Sequence, residues 1–512
     1  MSNSRHTASI HILDDDSLLH VFYLYRPYVF GEDENEISRS FGGSGRWIRG
    51  RWWYKLAQVC QRWRNVILGS APSLDLFLVC THGTPVADML AHSPHLPLVI
   101  DYDDDGDSIP RVTAEDEEGA ILALKMRDRV RCIRLCMLAP RLQKFIEAMY
   151  SDDEYPILEY LIIRALDNNT VFTFSVTLQA PHLHNLLLRG FTLPIGSRLL
   201  PAAVGLVTLY LIMFDPSMYF QPNTFLQWIS LMPQLESFAI LFSFSIPNRD
   251  IERQLMHTPI TAHVTLPNLH YILFQGVNAY LEALVHWITT PRLEKLEILL
   301  FNQLMFSTPR LSQFVNTSEN LRFQSVKFKF CDPAVYVKAY PLEGIKEYTF
   351  AITVDCWHLD WQVSSAAQIS NSLTQNFSAV EHLILVHEVH SESSDEHNEI
   401  DRTEWRKLLK PFSNVKTLRI DDGLVEDLSR CLQSEDGEPP LELLPELQEL
   451  TYSGSGDTDD AFTSFMVTRS NAGRRIALAR RSPIPTPYPS YSASITAANT
   501  DSEAGSDHFF SL

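Results

Sequence analysis

The sequence predicts an α/β fold: a small N-terminal helical module followed by a curved solenoid of parallel strands plus helices. Three observations carry this prediction. An apolar triad, spaced apolar, two residues, apolar, one residue, apolar, keeps returning between Val130 and Tyr452. Amphipathic stretches such as FLQWISLM, YLEALVHWITT, WRKLLKPF and LVEDLSRCL lie between the triads. Two further amphipathic segments precede any strand pattern. A unit of one strand and one helix cannot bury its apolar face alone, so such units stack.

Composition bounds what the fold can serve. The chain has 512 residues, 45% of them hydrophobic and 20% charged, enough to bury a large core. A formal net charge of −20 argues against a nucleic-acid partner, because polyanion affinity comes from lysines and arginines that neutralise phosphates. It is no obstacle to a protein partner with a basic surface. The start, MSNSRHTASIHILDDDS, has no apolar stretch of the kind a secretory signal needs. The longest apolar run, LLPAAVGLVTLYLIMF, contains Pro201 and Gly205 and is shorter than the ~20 residues of a membrane span. No membrane partner is expected. Seven scattered cysteines suit the reduced thiols of a cytoplasmic or nuclear protein. Cys132 and Cys136 sit four apart on an expected strand, roughly 13 Å from each other, too far for a disulfide.

Taken in order, residues 1–9 are expected to be flexible, and a helical module follows over 10–72. Its first helix falls in ILDDDSLLHVFYLY (12–25), where Asp14 or Asp15 can cap the N-terminus and the clustered acids suit the helix dipole. Residues 26–50, rich in Gly, Ser and charge, read as a loop insertion. In 56–67 the apolar positions Leu56, Val59, Cys60, Trp63, Val66 and Ile67 fall on one stripe at helical period, so a single helix is expected there, stopped near Gly69. Neither helix is long enough to stand alone, so the two must pack together. LDLFLV (74–79) and LPLVIDY (96–102) are candidate first strands of a solenoid spanning 73–479.

The triads are Val130-Ile133-Leu135, Leu158-Leu161-Ile163, Leu183-Leu186-Leu188, Leu206-Leu209-Leu211, Leu235-Phe238-Ile240, Leu269-Ile272-Phe274, Leu293-Leu296-Ile298 and Phe323-Val326-Phe328. Weaker ones are Ile345-Tyr348-Phe350, Val380-Leu383-Leu385, Val415-Leu418-Ile420 and Leu447-Leu450-Tyr452. The intervening residues, among them Asn185, Leu187, Glu236, Ser237, Glu294, Lys295 and Glu297, are expected to face outward. DDAFTSFMVTRSNAGRRIALA supplies a closing helix and strand, since a solenoid's end must be covered. Residues 480–512, rich in Ser, Thr, Pro and Ala, read as a disordered tail.

These patterns resemble two known families. The triads are similar to leucine-rich repeats in their core positions, though the Asn or Cys usual after the third leucine is mostly absent. Leu13, then Asp16-Ser17-Leu18-Leu19 and Val21-Phe22, then Val59-Cys60 and Trp63, resembles the F-box, with Asp14 where that family has proline. The segment GSAPSLDLFLVCTHGTPV is similar to F-box proteins of filamentous (basidiomycete) fungi, where a Leu-rich strand follows directly. The resemblance implies a non-enzymatic substrate receptor of a Skp–cullin–F-box ubiquitin ligase. Leu13, Leu18, Leu19, Val59, Cys60 and Trp63 would dock a Skp-type adaptor, and through it a cullin, while the repeats hold an unidentified target protein. The alternative is a leucine-rich-repeat scaffold or recognition protein outside any ligase, its helical start serving as a cap.

Other motifs offer less. DYDDDGDSIPRV (101–112) places Asp at positions 1, 3 and 5 of a calcium loop but Val112 where a bidentate Glu belongs, so a solvated acidic loop is expected. HEVHSESSDEHNE (387–399) gathers three histidines without metal-ligand spacing. RWIRGRWWYK (46–55) reads as a helix start or partner-facing patch. No nucleophile–base constellation can be assembled, and no catalytic, cofactor or metal residue is assigned. If 26–50 is a surface loop, deleting residues 30–45 leaves the melting temperature nearly unchanged, since loop length costs little. Loss of the soluble, cooperatively melting protein on deletion would show the segment to be structural.

Overall fold

Asp14 starts the first helix, Asp15–Tyr25: its carboxylate accepts from the Ser17 N–H at 2.7 Å, with Asp15 and Asp16 in the first turn. That places negative charge at the positive end of the dipole, as the sequence suggests. The computed structural model describes residues 13–26, 51–104, 112–149, 154–167, 170–194, 196–243, 263–301, 308–342, 347–388, 402–433, 443–453 and 461–481. The expected flexible N-terminus, almost all of the insertion at 26–50, and residues 482–512 of the tail expected over 480–512 lie outside these residues, while Arg480 and Arg481 belong to the last strand, Ala477–Arg481.

The single helix expected over 56–67 is two helices, Trp52–Ala57 and Gln61–Gly69. Between them Cys60 takes an extended backbone and caps the second, its Sγ accepting from the Trp63 N–H at 3.5 Å. A thiol is not among the usual capping groups, and the apolar stripe keeps its period through the break, so nothing in the pattern marks the boundary.

The strands follow as β1 (Leu78–Cys80), β2 (Leu98–Asp104), β3 (Val130–Met137), β4 (Tyr160–Ala165), β5 (Phe172–Thr173), β6 (Asn185–Arg189) and β7 (Phe191–Thr192). Next come β8 (Thr208–Met213), β9 (Ser237–Phe242), β10 (Val264–Thr265), β11 (Tyr271–Gly276), β12 (Ile288–Thr289) and β13 (Lys295–Leu300). The last are β14 (Ser325–Cys331), β15 (Ala334–Tyr340), β16 (Phe350–Asp355), β17 (His382–Glu388), β18 (Thr417–Ile420), β19 (Glu449–Ser453) and β20 (Ala477–Arg481). Sixteen of them form one sheet, ordered β1-β2-β3-β4-β6-β8-β9-β11-β13-β16-β15-β14-β17-β18-β19-β20, and β5 with β7 and β10 with β12 make two small side pairs.

The triads set the register. Leu161, Leu186, Leu209, Phe238, Ile272 and Leu296 pair successively across β4 to β13, and Ile163, Leu188, Leu211, Ile240, Phe274 and Ile298 form the next inward row. Every one of these side chains is buried in a single core that also takes the apolar faces of the helices. Parallel neighbours require a crossover, and helices such as Pro222–Ile229 and Asn278–Val285 supply it. The turn after β6 needs Gly190, whose φ is +86° and where a Cβ would strike Phe214 and Ala165 at 2.9–3.0 Å.

The sheet departs from all-parallel order in one region. β14 folds back as a hairpin into β15, antiparallel, and β15 pairs antiparallel with β16, while β16 joins β13 and β14 joins β17 in parallel. The triad expected at Ile345-Tyr348-Phe350 is therefore misplaced: Leu296 pairs with Phe350, so the inward residues of β16 are Phe350, Ile352 and Val354. Tyr348 instead contacts lysines on the other face, and Ile345 lies outside the described residues. Gln362, 2% exposed in the helix Leu359–Ser372, locks the insertion: its amide donates to the carbonyls of Cys331 (3.1 Å) and Cys356 (2.8 Å), the ends of β14 and β16.

Leu296→Ala should destabilise the protein by about 2–5 kcal/mol, because Leu296 is fully buried between two strands, while Lys295→Ala next to it should cost at most about 1 kcal/mol. Denaturant titration of both variants measures the contrast, and equal losses would contradict the register.

Candidate functional site

The N-terminal helices pack into a small module. Leu18 and Phe22 are fully buried, Phe22 meets Trp63 edge-on at 5.0 Å, and Arg62 bonds to Asp15 (2.7 Å) and to the Leu13 carbonyl. The module is continuous with the sheet. Leu18, Phe22, Trp53 and Ile67 belong to the same core as the strands, and the Trp53 indole donates to the Phe77 carbonyl. Arg51 donates to the Val79 carbonyl and Thr84. Asp75, held at a positive φ of 52°, accepts from both Arg26 and Arg131, and Arg131 reaches on to Glu159 at 2.9 Å. Asp is one of the few residues that takes this conformation cheaply.

Of the residues expected to meet a partner, Leu18 is in the core, Leu13, Leu19, Cys60 and Trp63 are half-buried, and Val59 is 56% exposed. The solvent side of the module carries Val59 together with Val21, Tyr23, Leu24 and Tyr25, Leu24 reaching 72% exposure. Sequence reasoning counts Leu18 as a docking residue because period alone cannot say which side of a short amphipathic helix meets its own module.

The second surface is the sheet face away from the helices, and it has three zones. At the β1 end, Arg134 on β3 donates to Asp101 (2.8 Å) and Asp103 (2.6 Å) on β2, while on the opposite, helix-covered side Arg141, in the helix Ala139–Met149, donates to Asp104. The acidic run is thus not a solvated loop at its start: Asp101 is 2% exposed, and its carboxylate is committed to a guanidinium that the surrounding anions hold protonated. Residues 105–111 lie outside those described. In the middle, Leu187, Tyr210, Ala239, Leu241, Tyr271 and Leu273 form a second apolar cluster that contains no side chain from a described helix. Leu187 and Ser237 do turn away from the main core as expected, yet each is nearly buried because the side chains of adjacent strands cover one another at ~4.8 Å spacing. Asn185, Lys295 and Glu297 are half-exposed, and Glu236 and Glu294 exposed.

The third zone lies over the antiparallel insertion and is basic and aromatic. Lys327, Lys329, Tyr336, Lys338 and Tyr340 point away from a core row of Val326, Phe328, Phe330, Val335, Val337 and Ala339. Lys338 lies directly opposite Lys327 in the register. Lys295 and Lys338 both sit over the Tyr348 ring, at 4.7 and 4.5 Å from its centre. Burial, with the repulsion of Lys329 next, pulls Lys327 below the ordinary lysine value. Burial does the same to Lys338, against the pull of Glu297 and helped by the other lysines. The sequence motifs did not mark this zone, because its lysines come together only through the hairpin.

Among the described residues, no group of three or more His, Cys, Asp or Glu could hold a metal ion, and no helix is long and apolar enough to cross a membrane. His387 and Glu388 are the last two residues of β17, and residues 389–399 of the histidine segment lie outside the described residues. No protein-family model matches the chain, and no curated protein matches it.

All seven cysteines are free, and six are buried, with burial pushing the thiols of Cys80, Cys356 and Cys431 up to about 12 and Cys136 to about 11. Only Cys60 is partly exposed. A thiol reagent should therefore label one site fast in the native protein, and Cys60→Ser should abolish that phase while leaving the melting temperature unchanged or higher, because serine is the better helix cap. Several fast thiols would contradict the burial.

Proposed function

We propose that the chain is a non-enzymatic substrate receptor of a Skp–cullin–F-box-type ubiquitin ligase, with a degenerate leucine-rich-repeat solenoid as its target-binding part. The N-terminal helices would dock a Skp-type adaptor and through it a cullin, and the sheet face would hold a target protein. The observation that carries this reading is the exposed apolar side of the module, Val21, Leu24 and Val59 with Tyr23 and Tyr25, beside half-buried Trp63. A module that served only its own core would leave less apolar surface in water. Its order of motifs, an acid-capped Leu-Leu helix followed by Val-Cys and Trp, supports the same partner. Such a receptor acts by proximity: holding a target near a charged conjugating enzyme raises effective concentration without catalytic groups.

A second reading is a repeat scaffold or recognition protein outside any ligase, whose helices cap the first strand. The shared core and the bonds from Trp53 and Arg51 to the carbonyls at 77 and 79 favour it, since a solenoid end must be covered. One experiment separates the two. Leu24→Asp with Val59→Asp, both exposed, should leave the melting temperature unchanged and abolish co-purification with a Skp-type adaptor and cullin. No adaptor with the unaltered chain, or undiminished capture by the double variant, would leave the cap reading standing.

A further inference from the structure

Eight of the chain's nine tryptophans lie among the described residues, and six of these are buried or packed against the main core. Trp357 and Trp361 are not: they stand 69% and 51% exposed. Each is anchored through a buried neighbour. Trp357 follows Cys356, which donates its N–H to the Pro333 carbonyl at 2.8 Å, and Trp361 precedes Gln362, whose amide bonds to the Cys331 and Cys356 carbonyls. Those bonds draw together the end of β14, the turn after β16 and the start of the helix Leu359–Ser372, and with them Asp332, Asp355 and Asp360. His358 meets the Trp361 ring edge-on, 5.1 Å between centres.

The basic groups of the neighbourhood are engaged or distant. Lys329 pairs with Glu388 at 2.6 Å. Arg402 and Arg406, on the helix packed against Leu359–Ser372, donate to the carbonyls of Gln433 and Cys431. Lys338, with Lys327 opposite it, pairs with Ala351, four residues and so about 13 Å along β16 from Asp355. Asp355 and Asp360 have no ion-pair partner among the described residues. Exposed indoles bordered by carboxylates complement a guanidinium: the planar cation stacks on a ring face while its N–H fork meets a carboxylate. The same acids oppose an anionic lipid surface, and a second copy of the patch would set acid against acid.

We propose that Trp357 and Trp361, with Asp355 and Asp360, form a docking patch for an arginine-bearing basic segment of a protein partner. The patch sits at the strand ends of the antiparallel insertion, apart from the N-terminal module. The inference therefore goes beyond the proposed function and does not rest on it, and failure of either leaves the other untouched.

The test uses the full chain and fluorescent degenerate peptide libraries with a central arginine, lysine, citrulline or glutamate and no other basic residue. The arginine library should bind at least about tenfold more tightly than the citrulline library, which keeps the shape and loses the charge. Because the change is in the peptide, a folding defect cannot imitate it. Trp357→Ala with Trp361→Ala should weaken arginine binding at least about fivefold and keep the melting temperature, since both rings are mostly in water. Asp355→Asn with Asp360→Asn should weaken the arginine library and leave the citrulline library as it was. Equal binding of arginine and citrulline peptides, no binding of either, or undiminished binding by the tryptophan variant would overturn the proposal. So would self-association, or binding to phosphatidylcholine vesicles, that the tryptophan variant loses while no arginine preference is seen.

Discussion

A parallel strand cannot pair with its predecessor until the chain has crossed back over one face of the sheet, and that crossover has to be buried against something. The inward rows at Leu161, Leu186, Leu209, Phe238, Ile272 and Leu296 are what it is buried against. Each row is continuous from strand to strand, so no unit has a core of its own. Leu296, for example, is covered by Ile272 on one side and Phe350 on the other. Because a one-residue slip would turn an entire strand's apolar set away from the helices, this register is tightly specified. The helical crossovers, the closing strand β20 and the N-terminal module are all arranged around it.

The antiparallel insertion shows how much departure that constraint allows. β14, β15 and β16 occupy three adjacent places in an order the chain does not follow, yet each keeps one apolar face toward the helices: Val326 and Phe328, Val335 and Val337, Phe350 and Ile352. The inward rows pass through uninterrupted. What changes is the opposite face, where an antiparallel neighbour brings Lys338 against Lys327. Gln362 satisfies the carbonyls of Cys331, which closes β14, and of Cys356, just past β16, side by side at one end of the insertion, and a buried carbonyl left without a donor costs about 1–3 kcal/mol. The hairpin is therefore held by the core beneath it and by one side chain from the crossover helix.

How much of this the residues disclose depends on the range of the interaction. Inward positions are legible because burial imposes a period, and the triads locate the parallel strands of the main sheet from β3 to β19, while the antiparallel strand β15 and the short side pairs carry no triad. One triad is misplaced, at Ile345-Tyr348-Phe350. There two aromatics imitate the pattern while strand order, a non-local property, decides which residue faces in. The helix at Asp15–Tyr25 is legible from its capping acid, whereas the break at Cys60 is not, since a thiol gives no such signal. The acidic segment at 101–104 reads as loop because its partners, Arg134 and Arg141, lie more than thirty residues away. On the sheet's second face nothing local distinguishes a lysine that finds a glutamate from one that does not. Lys329 and Lys327 are two residues apart, and among the described residues only the first has an ion-pair partner.

The joint between module and sheet bears on both readings of the chain. Trp53 and Arg51 bond to the backbone just before and within β1, Asp75 ties Arg26 to Arg131, and Leu18 and Phe22 share the core of the strands. A flexible linker would let a docked adaptor sample many distances from the sheet face, diluting any gain in effective concentration. A shared core fixes that distance instead. The same continuity makes the module a cap for the β1 end, so capping and the proposed docking are compatible uses of one set of helices: the buried side, Leu18, Phe22, Trp53 and Ile67, serves the sheet, and the side with Val21, Leu24 and Val59 stays exposed. What decides between a receptor and a plain scaffold is consequently the chemistry of the exposed side alone, because the buried side is required in either case.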